Sequence, residues 1–491
     1  MYNVVIFTGS SWIDSSTVKD PDADIFPVLR SVGAYQIASV LRDNNFTSKV
    51  VDYFPYLFHN KYNDLLKIVD KIINEDTLWV GFSSTFFDGY GITDSHPLRN
   101  EKINHFVNFI KNKNKKIKIV LGGATAWRKE FPTIVDYYVE GYADDSVIGL
   151  TTYLKGKNPF FMINDRCISS DKTAANFNFS AYKFKWTDHD DINHNEVLPI
   201  EISRGCIFKC AYCSYPLNGK KKLDFIKDSS VLYDHFIENY ERFGVTSYMY
   251  TDDTHNDSLE KLEYLYNNVY SRLPFKIKFN AYIRLDLLKA HPAMIDILKE
   301  SGIRSCFFGI ESMNYRANKT VGKGMRQEKI VETLHTVREK WNDVFLQGAF
   351  IIGLPNETKE TASNWLDLVT DTAFPLDHIT LNPLQLFRNQ GENGYWFNDI
   401  EKYPEKYGYS FSSDEDWISN TGMTKHQAIE IKDTYRKKMS IMNKNKLSWM
   451  SMWRLQNLDI DLENYKSMSK DNINSSIDNF IDSYINRCLN K

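Results

Sequence analysis

Residues 1–155 alternate short apolar runs with longer mixed stretches. Val- and Ile-rich runs at Asn3–Phe7, Lys49–Tyr53, Leu78–Ser83, Ile117–Leu121 and Ile134–Val139 mostly end near Gly, Ser or Asp, as strands entering turns do. Between the first two, Ala34, Ile37, Ala38 and Leu41 recur at i, i+3, i+4 and i+7, one face of a helix. Strands apolar on both sides and separated by helices predict a parallel, doubly wound sheet. Such a sheet binds ligands beyond the carboxyl ends of its strands.

Residues 156–197 are irregular and polar, with Asp188-His189-Asp190-Asp191, and read as a linker packed between domains. A second strand–helix series occupies 198–390. Its strands are expected at Leu198–Ile202, Ser247–Tyr250, Ile277–Ala281, Arg304–Gly309, Gln347–Ile352 and Ile379–Leu384. Six such units predict a partial (β/α)6 barrel, with functional groups on loops at the strands' carboxyl ends. The pattern changes again over 391–491. Thr424 and Gln427 form a capping box at a helix start. This region reads as mostly helical, a cap that shapes the substrate site, and its last thirty or so residues are rich in Asn, Lys and Ser. The fold class is α/β throughout.

At 491 residues the chain exceeds one core. Hydrophobic content of 42% and charged content of 25% are ordinary for a soluble globular protein. A formal net charge of -3 gives no global attraction to nucleic acid or membrane. No apolar run approaches the roughly 20 residues that span a bilayer. Met1 to Phe7 carries no basic segment, so it reads as a first strand rather than a signal peptide. Six cysteines in so long a chain do not make a disulfide framework. Three clustered thiols suit a reducing cytoplasm.

Those three are Cys206, Cys210 and Cys213, spaced C-x3-C-x2-C directly after the first barrel strand. Three thiolates can hold three irons of a four-iron, four-sulfur cube, leaving one iron open to a cofactor or substrate. A zinc knuckle is the competing reading. It wants a fourth ligand, and His189 and His194 lack finger spacing.

The chain resembles radical S-adenosylmethionine (radical SAM) enzymes at this motif and at the strand ends that follow. The resemblance implies that the open iron binds SAM and that electron transfer cleaves it to a 5′-deoxyadenosyl radical. Tyr212 matches the family's aromatic position near the adenine. Asp252 and Asp253 close the second barrel strand, and one of them is expected to accept from the SAM ammonium. Arg284 matches a position that pairs with the SAM carboxylate. Glu311 resembles a polar SAM contact, and Gly353-Leu354-Pro355-Asn356-Glu357-Thr358 resembles a family turn beneath the adenine. The ordinary readings are a helix-capping Asp, structural ion pairs and a core tyrosine.

The front domain resembles cobalamin-binding, Rossmann-like domains fused to radical SAM barrels. The matching segments carry Ser83, Ser84, Gly122, Gly123, Glu140 and Gly141. Glycines let backbone approach a corrin, and serines can bond its polar groups. There is one departure. Many cobalamin proteins carry Asp-x-His-x-x-Gly after the first strand, yet Thr8 to Pro27 contains no histidine, and His96 stands elsewhere without the glycine. Relatives lacking that histidine bind the cofactor nonetheless. The front domain has no cysteine, unlike methylthiotransferases with their second cluster.

The resemblance therefore implies three cofactors: a 4Fe-4S cluster, SAM and cobalamin. The implied activity is C-methylation of an unactivated carbon on a small-molecule or peptide substrate, with flavodoxin or ferredoxin as reductant. The alternative is a non-methylating rearrangement or cyclisation, with or without bound cobalamin. A non-catalytic scaffold would have lost the cluster and SAM contacts. Cys306 reads as a buried hydrophobe. Aromatic content is 14%, and Tyr395, Trp396, Trp417, Trp449 and Trp453 are expected to pack the C-terminal region over the barrel mouth.

Overall fold

The computed structural model describes residues 2–13, 25–83, 97–123, 134–157, 163–164, 166–169, 177–215, 217–386, 398–413, 416–441 and 469–490. The first apolar run forms β1 (Val4–Phe7), whose residues are all buried. Two strands after it, β2 (Ser10–Ile13) and β3 (Ile25–Leu29), pair as an antiparallel hairpin apart from the main sheet. The front sheet then takes β4 (Ser48–Val51), β5 (Trp79–Ser83), β6 (Lys118–Gly122), β7 (Tyr137–Glu140), β8 (Ile163–Asn164) and β9 (Cys167–Ser169). Its order is β4-β1-β5-β6-β7-β9-β8, parallel except for β8. The chain leaves β1 to one side for β4 and returns on the other for β5. The carboxyl ends of β1 and β5 therefore flank a topological switch point, where doubly wound sheets take ligands.

The segment read as an irregular linker is more ordered than its composition suggests. β8 and β9 lie inside it and extend the sheet, too short for any periodicity to show. Further on, Phe184 and Trp186 are buried, and Asp190 and Asp191 of the acidic run are neutralised by the front domain. Arg42 pairs with Asp190 at 2.7 Å, and Lys49 pairs with Asp191. Fully buried Arg30 holds Glu196 at 2.6 Å and donates to the carbonyls of Asp190 and Asp191 at 2.8 and 2.9 Å.

The barrel strands are β10 (Leu198–Ile200), β11 (Ser247–Tyr250), β12 (Lys278–Ile283), β13 (Ile303–Glu311), β14 (Phe345–Ile352) and β15 (His378–Pro383). They lie in sequence order, all parallel, as an open six-stranded sheet. Local chemistry starts and stops the intervening helices. The Ser258 side chain accepts from Lys261 N to cap Leu259–Asn268, and Thr358 forms a capping box on Lys359–Val369. Gly302 ends the helix Ala293–Ser301 at φ 102°, and a Cβ there would stand 2.1 Å from the Ile277 carbonyl, so only glycine fits.

Beyond the barrel, β16 (Tyr409–Phe411) and β17 (Trp417–Ser419) form a hairpin. The Thr424 box forms as expected, with Thr424 N to Gln427 at 3.1 Å and Gln427 N to Thr424 at 3.2 Å. The polar-looking helix Lys470–Asn490 does not cap the barrel mouth. It lies on the front domain, where Ile477, Ile481, Tyr484, Ile485 and Cys488 join the cluster containing Val51, Leu57 and Ile68. Asp52 N donates to Tyr484 Oη at 2.9 Å, and Lys61 pairs with Asp482 at 2.9 Å. Among the described residues no helix is long and apolar enough to cross a membrane.

Ile481 is fully buried in this contact. Ile481→Ala is expected to destabilise the front domain by about 2–5 kcal/mol, read by urea unfolding. An unchanged midpoint would mean that the helix is undocked in solution.

Candidate active site

The cysteine loop begins with a fastening. Asp252, just past β11, accepts from Ile202 N at 2.9 Å, Ser203 N at 3.0 Å and Ser203 Oγ at 3.0 Å. Lys261 Nζ stands 3.2 Å from the same carboxylate and donates to Ser203 Oγ at 2.6 Å. Both side chains are fully buried. Burial alone would raise the Asp252 carboxyl; the Lys261 ammonium and the donated hydrogen bonds overrule it and hold the group well below the usual carboxylate range. Its acceptor positions are thus filled by the protein.

Asp253, next in the chain, is only half-buried. It accepts from the Gly205 backbone, and burial followed by the Asp252 and Glu201 carboxylates pushes it up to about 7. Among the described residues no lysine or arginine makes an ion pair with it. Of the two aspartates, Asp253 is the more exposed.

The loop then folds back on itself. Gly205 sits at φ 76°, and a Cβ there would be 2.4 Å from Leu217 Cβ and 2.5 Å from its carbonyl. That approach lets Cys206 N donate to Leu217 O at 3.3 Å and Gly219 N to Cys206 O at 2.7 Å. Ala211 N reaches Val321 O at 3.1 Å, and Ile400 N reaches Ala211 O at 3.2 Å. The loop is thereby tied to the turn before Gly322 and to the C-terminal region. All three thiols are free; Cys206 is buried and Cys210 and Cys213 are half-buried. Burial raises the Cys206 thiol and pushes Cys213 up to about 11.

Arg284, after β12, joins this loop. Its Nη1 lies 3.3 Å from Cys210 Sγ, and its guanidinium covers the Phe208 ring at 3.7 Å. Asp286 holds the fork at 3.0 and 2.5 Å. Glu311 ends β13 at φ 70°, where the register with β14 shifts. Its Oε1 accepts from Tyr212 Oη at 2.7 Å and stands 3.3 Å from Lys323 Nζ. Tyr212 and Glu311 are therefore one unit.

The turn after β14 is built on Glu357. It is fully buried and accepts from Gly353 N at 2.8 Å, Trp365 Nε1 at 2.8 Å and Ser312 Oγ at 3.0 Å. Burial pushes it up to about 7. Trp417 is fully buried against Gly353, where a Cβ would be 2.4 Å from its ring. It supports this turn. Tyr395, Trp396, Trp449 and Trp453 lie outside the described residues. At the mouth Tyr215 is 55% exposed and Tyr282 38%.

In the front sheet Ser83 and Gly122 end β5 and β6, Gly123 follows at φ 116°, and Gly141 follows β7 at φ 81°. All stand on one edge. A Cβ on Gly122 would meet Val139 at an ordinary 3.8 Å, so neighbouring packing does not require glycine there. Ser84 and His96 lie outside the described residues, and only the backbone of Glu140, in β7, is described. Arg204 links this edge to the loop through Asp144 at 3.1 Å. Thr254 Oγ1 accepts from the Cys206 thiol at 3.5 Å. Arg204, Ser203, Thr254 and Lys261 carry no motif of their own, and nearness to the motif residues is their only signal in the sequence.

Residues 200–369 match the Radical SAM superfamily. The chain contains a radical SAM domain. An uncharacterized methyltransferase of Pyrococcus horikoshii is 28% identical over 161 residues, 33% of this chain. The matched stretch spans about a third, 34%, of that relative's own length. The radical S-adenosylmethionine methyltransferase TsrM of Kitasatospora setae, solved with cobalamin and a 4Fe-4S cluster, superposes with TM-score 0.59 at 15% identity, covering 83% of this chain and 79% of its own. OxsB, a cobalamin-dependent S-adenosylmethionine radical enzyme solved with aqua-cobalamin and S-adenosylmethionine, gives 0.54 at 15% identity, covering 89% and 61%. At such identities the likeness is one of fold, and it extends over both the front sheet and the barrel.

Two outcomes follow for the radical SAM domain. Gly205→Ala is expected to leave far-ultraviolet circular dichroism unchanged while abolishing iron loading of the loop; normal loading would show that the loop tolerates a Cβ. Glu357 gives a pH signature. Its folded carboxyl near 7 lies above the ordinary value of 4.5, so the folded state binds this proton more tightly than the unfolded one. The stabilisation is complete below 4.5 and is lost as pH rises through 7. The stability of the parent minus that of Glu357→Gln should fall by about 3 kcal/mol from pH 5 to 8. A constant difference would mean that the carboxyl titrates normally.

Proposed function

We propose that the protein is a cobalamin-dependent radical SAM enzyme that methylates an unactivated carbon of a small-molecule or peptide substrate. The observation that carries this reading is the meeting of two edges. The loop with three free thiols and Arg284 adjoins the glycine-bearing carboxyl edge of the front sheet, joined through Arg204 and Asp144. The methyltransferase relative and the fold likeness to two cobalamin-dependent enzymes support it.

The residues present suit the three groups. Cys206, Cys210 and Cys213 would hold a 4Fe-4S cluster. Ser83, Ser84, Gly122, Gly123, Glu140 and Gly141 would line the corrin. When bound, the cluster, SAM and cobalamin supply one-electron cleavage of a sulfonium and delivery of a methyl group.

The chain's own residues do the rest. Buried thiols must lose protons to bind metal, and Arg284 donates to the Cys210 sulfur from 3.3 Å. Asp253, rather than the filled Asp252, offers a carboxylate edge to the SAM ammonium. Arg284, its fork oriented by Asp286, would turn a remaining N–H toward the SAM carboxylate. Glu311 fixes the Tyr212 ring through its hydroxyl, and the Glu357 turn forms the floor. Tyr215 and Tyr282 stand where a substrate would enter. An acidic electron carrier such as flavodoxin or ferredoxin would supply the reducing equivalents.

Anaerobic protein reconstituted with iron, sulfide and hydroxocobalamin is expected to show a cubane EPR signal altered by added SAM, stoichiometric corrin absorbance, and reductant-dependent 5′-deoxyadenosine. Replacing Cys206, Cys210 and Cys213 with Ala should reduce deoxyadenosine to background. Equal formation without the cysteines would reject the catalytic reading. Deoxyadenosine without bound corrin would shift it to a radical SAM enzyme that rearranges or cyclises its substrate.

A further inference from the structure

Arg204 stands two residues before Cys206, yet it reaches out of the barrel. Its Nη1 and Nη2 hold Asp144 at 3.1 and 3.3 Å, and its Nε and Nη2 hold Glu201 at 3.0 and 3.2 Å. The guanidinium lies against the Tyr142 ring at 4.6 Å and the Phe179 ring at 4.5 Å. Its side chain and that of Asp144 are each 4% exposed. Asp144 also accepts from Gln36 Nε2 at 3.0 Å, which fixes it to the front domain's first long helix, Val32–Asp43. One side chain thus joins the carboxyl edge of the front sheet, the chain entering the barrel, and the approach to the cysteine loop.

Adhesion between the domains does not require this contact. The two domains already share an apolar cluster running from Val4 to Met439, and Arg30 with Glu196 seals the junction elsewhere. An apolar pair of similar volume would serve adhesion as well as a buried ion pair does. The planar fork adds direction, because two carboxylates from different domains are read in fixed orientation by one rigid group.

We propose that Arg204 is a positioning residue that, through Asp144, sets the separation and orientation between the front sheet's carboxyl edge and the cysteine loop, and so between the groups each would hold. The proposal rests on the cobalamin reading above. Methyl delivery between two carriers depends on contact geometry, and a misplacement of about 1 Å far from the chemistry can lower a rate by about 100-fold.

The test uses the full chain with Asp144→Asn, which leaves the cysteine loop's own sequence intact, and Arg204→Lys, which keeps the charge and loses the fork. In metal-free protein, amide exchange over 201–206 is expected to be about tenfold faster in both variants than in the parent. In protein loaded with cluster and hydroxocobalamin and then reduced, pulsed dipolar EPR between cob(II)alamin and the cluster should give one narrow distance in the parent and a broad distribution in Asp144→Asn. SAM cleavage to 5′-deoxyadenosine should be unchanged in Asp144→Asn. Parent-like exchange at 201–206 with a narrow distance in both variants would overturn the proposal, as would a rise in exchange spread evenly over the whole chain. If the parent binds no corrin, the cobalamin reading fails, while the exchange measurement still decides whether Asp144 orders the loop.

Discussion

A fully buried carboxylate at the base of the cysteine loop organises the barrel mouth. Asp252 gathers two backbone amides, a hydroxyl and an ammonium into one buried knot. Because a lone buried charge is so costly, none of the members can leave without stranding the others. The knot fixes where β10 ends, and that end fixes Gly205. From Gly205 the loop has one course, since the approach of Leu217 excludes any side chain. This sequence of constraints places the three thiols.

The same economy recurs around the mouth. Tyr212 is oriented by Glu311, Arg284 by Asp286, and the Gly353 turn by Glu357 with Trp365 and Ser312. Each residue facing the cleft is held by a partner set back from it. Asp253 is the exception. It accepts from the Gly205 backbone and has no ion-pair partner among the described residues.

Much of the fold was legible because it is written locally. The apolar runs mark eleven strands within a few residues of where they form, and the Thr424 capping box forms as spelled. What escaped depends on partners distant in the chain. β8 and β9 become strands only because β7 offers them an edge. The sequence pair Asp252-Asp253 looks symmetrical, and only Lys261 and the Ser203 amide show which carboxylate is occupied. The helix Lys470–Asn490 reads as polar by composition. Its Ile477, Ile481, Tyr484, Ile485 and Cys488 nevertheless share one face, a stripe that asks for an apolar surface without saying which.

The return of that helix to the front domain orders the way the molecule is made. The front sheet and the helix that completes its apolar cover are separated in synthesis by the whole barrel. During translation the barrel can close its core from contiguous chain, while the front sheet waits with one apolar flank uncovered. The front domain's apolar cover is therefore complete only once the chain has been made through Lys470–Asn490.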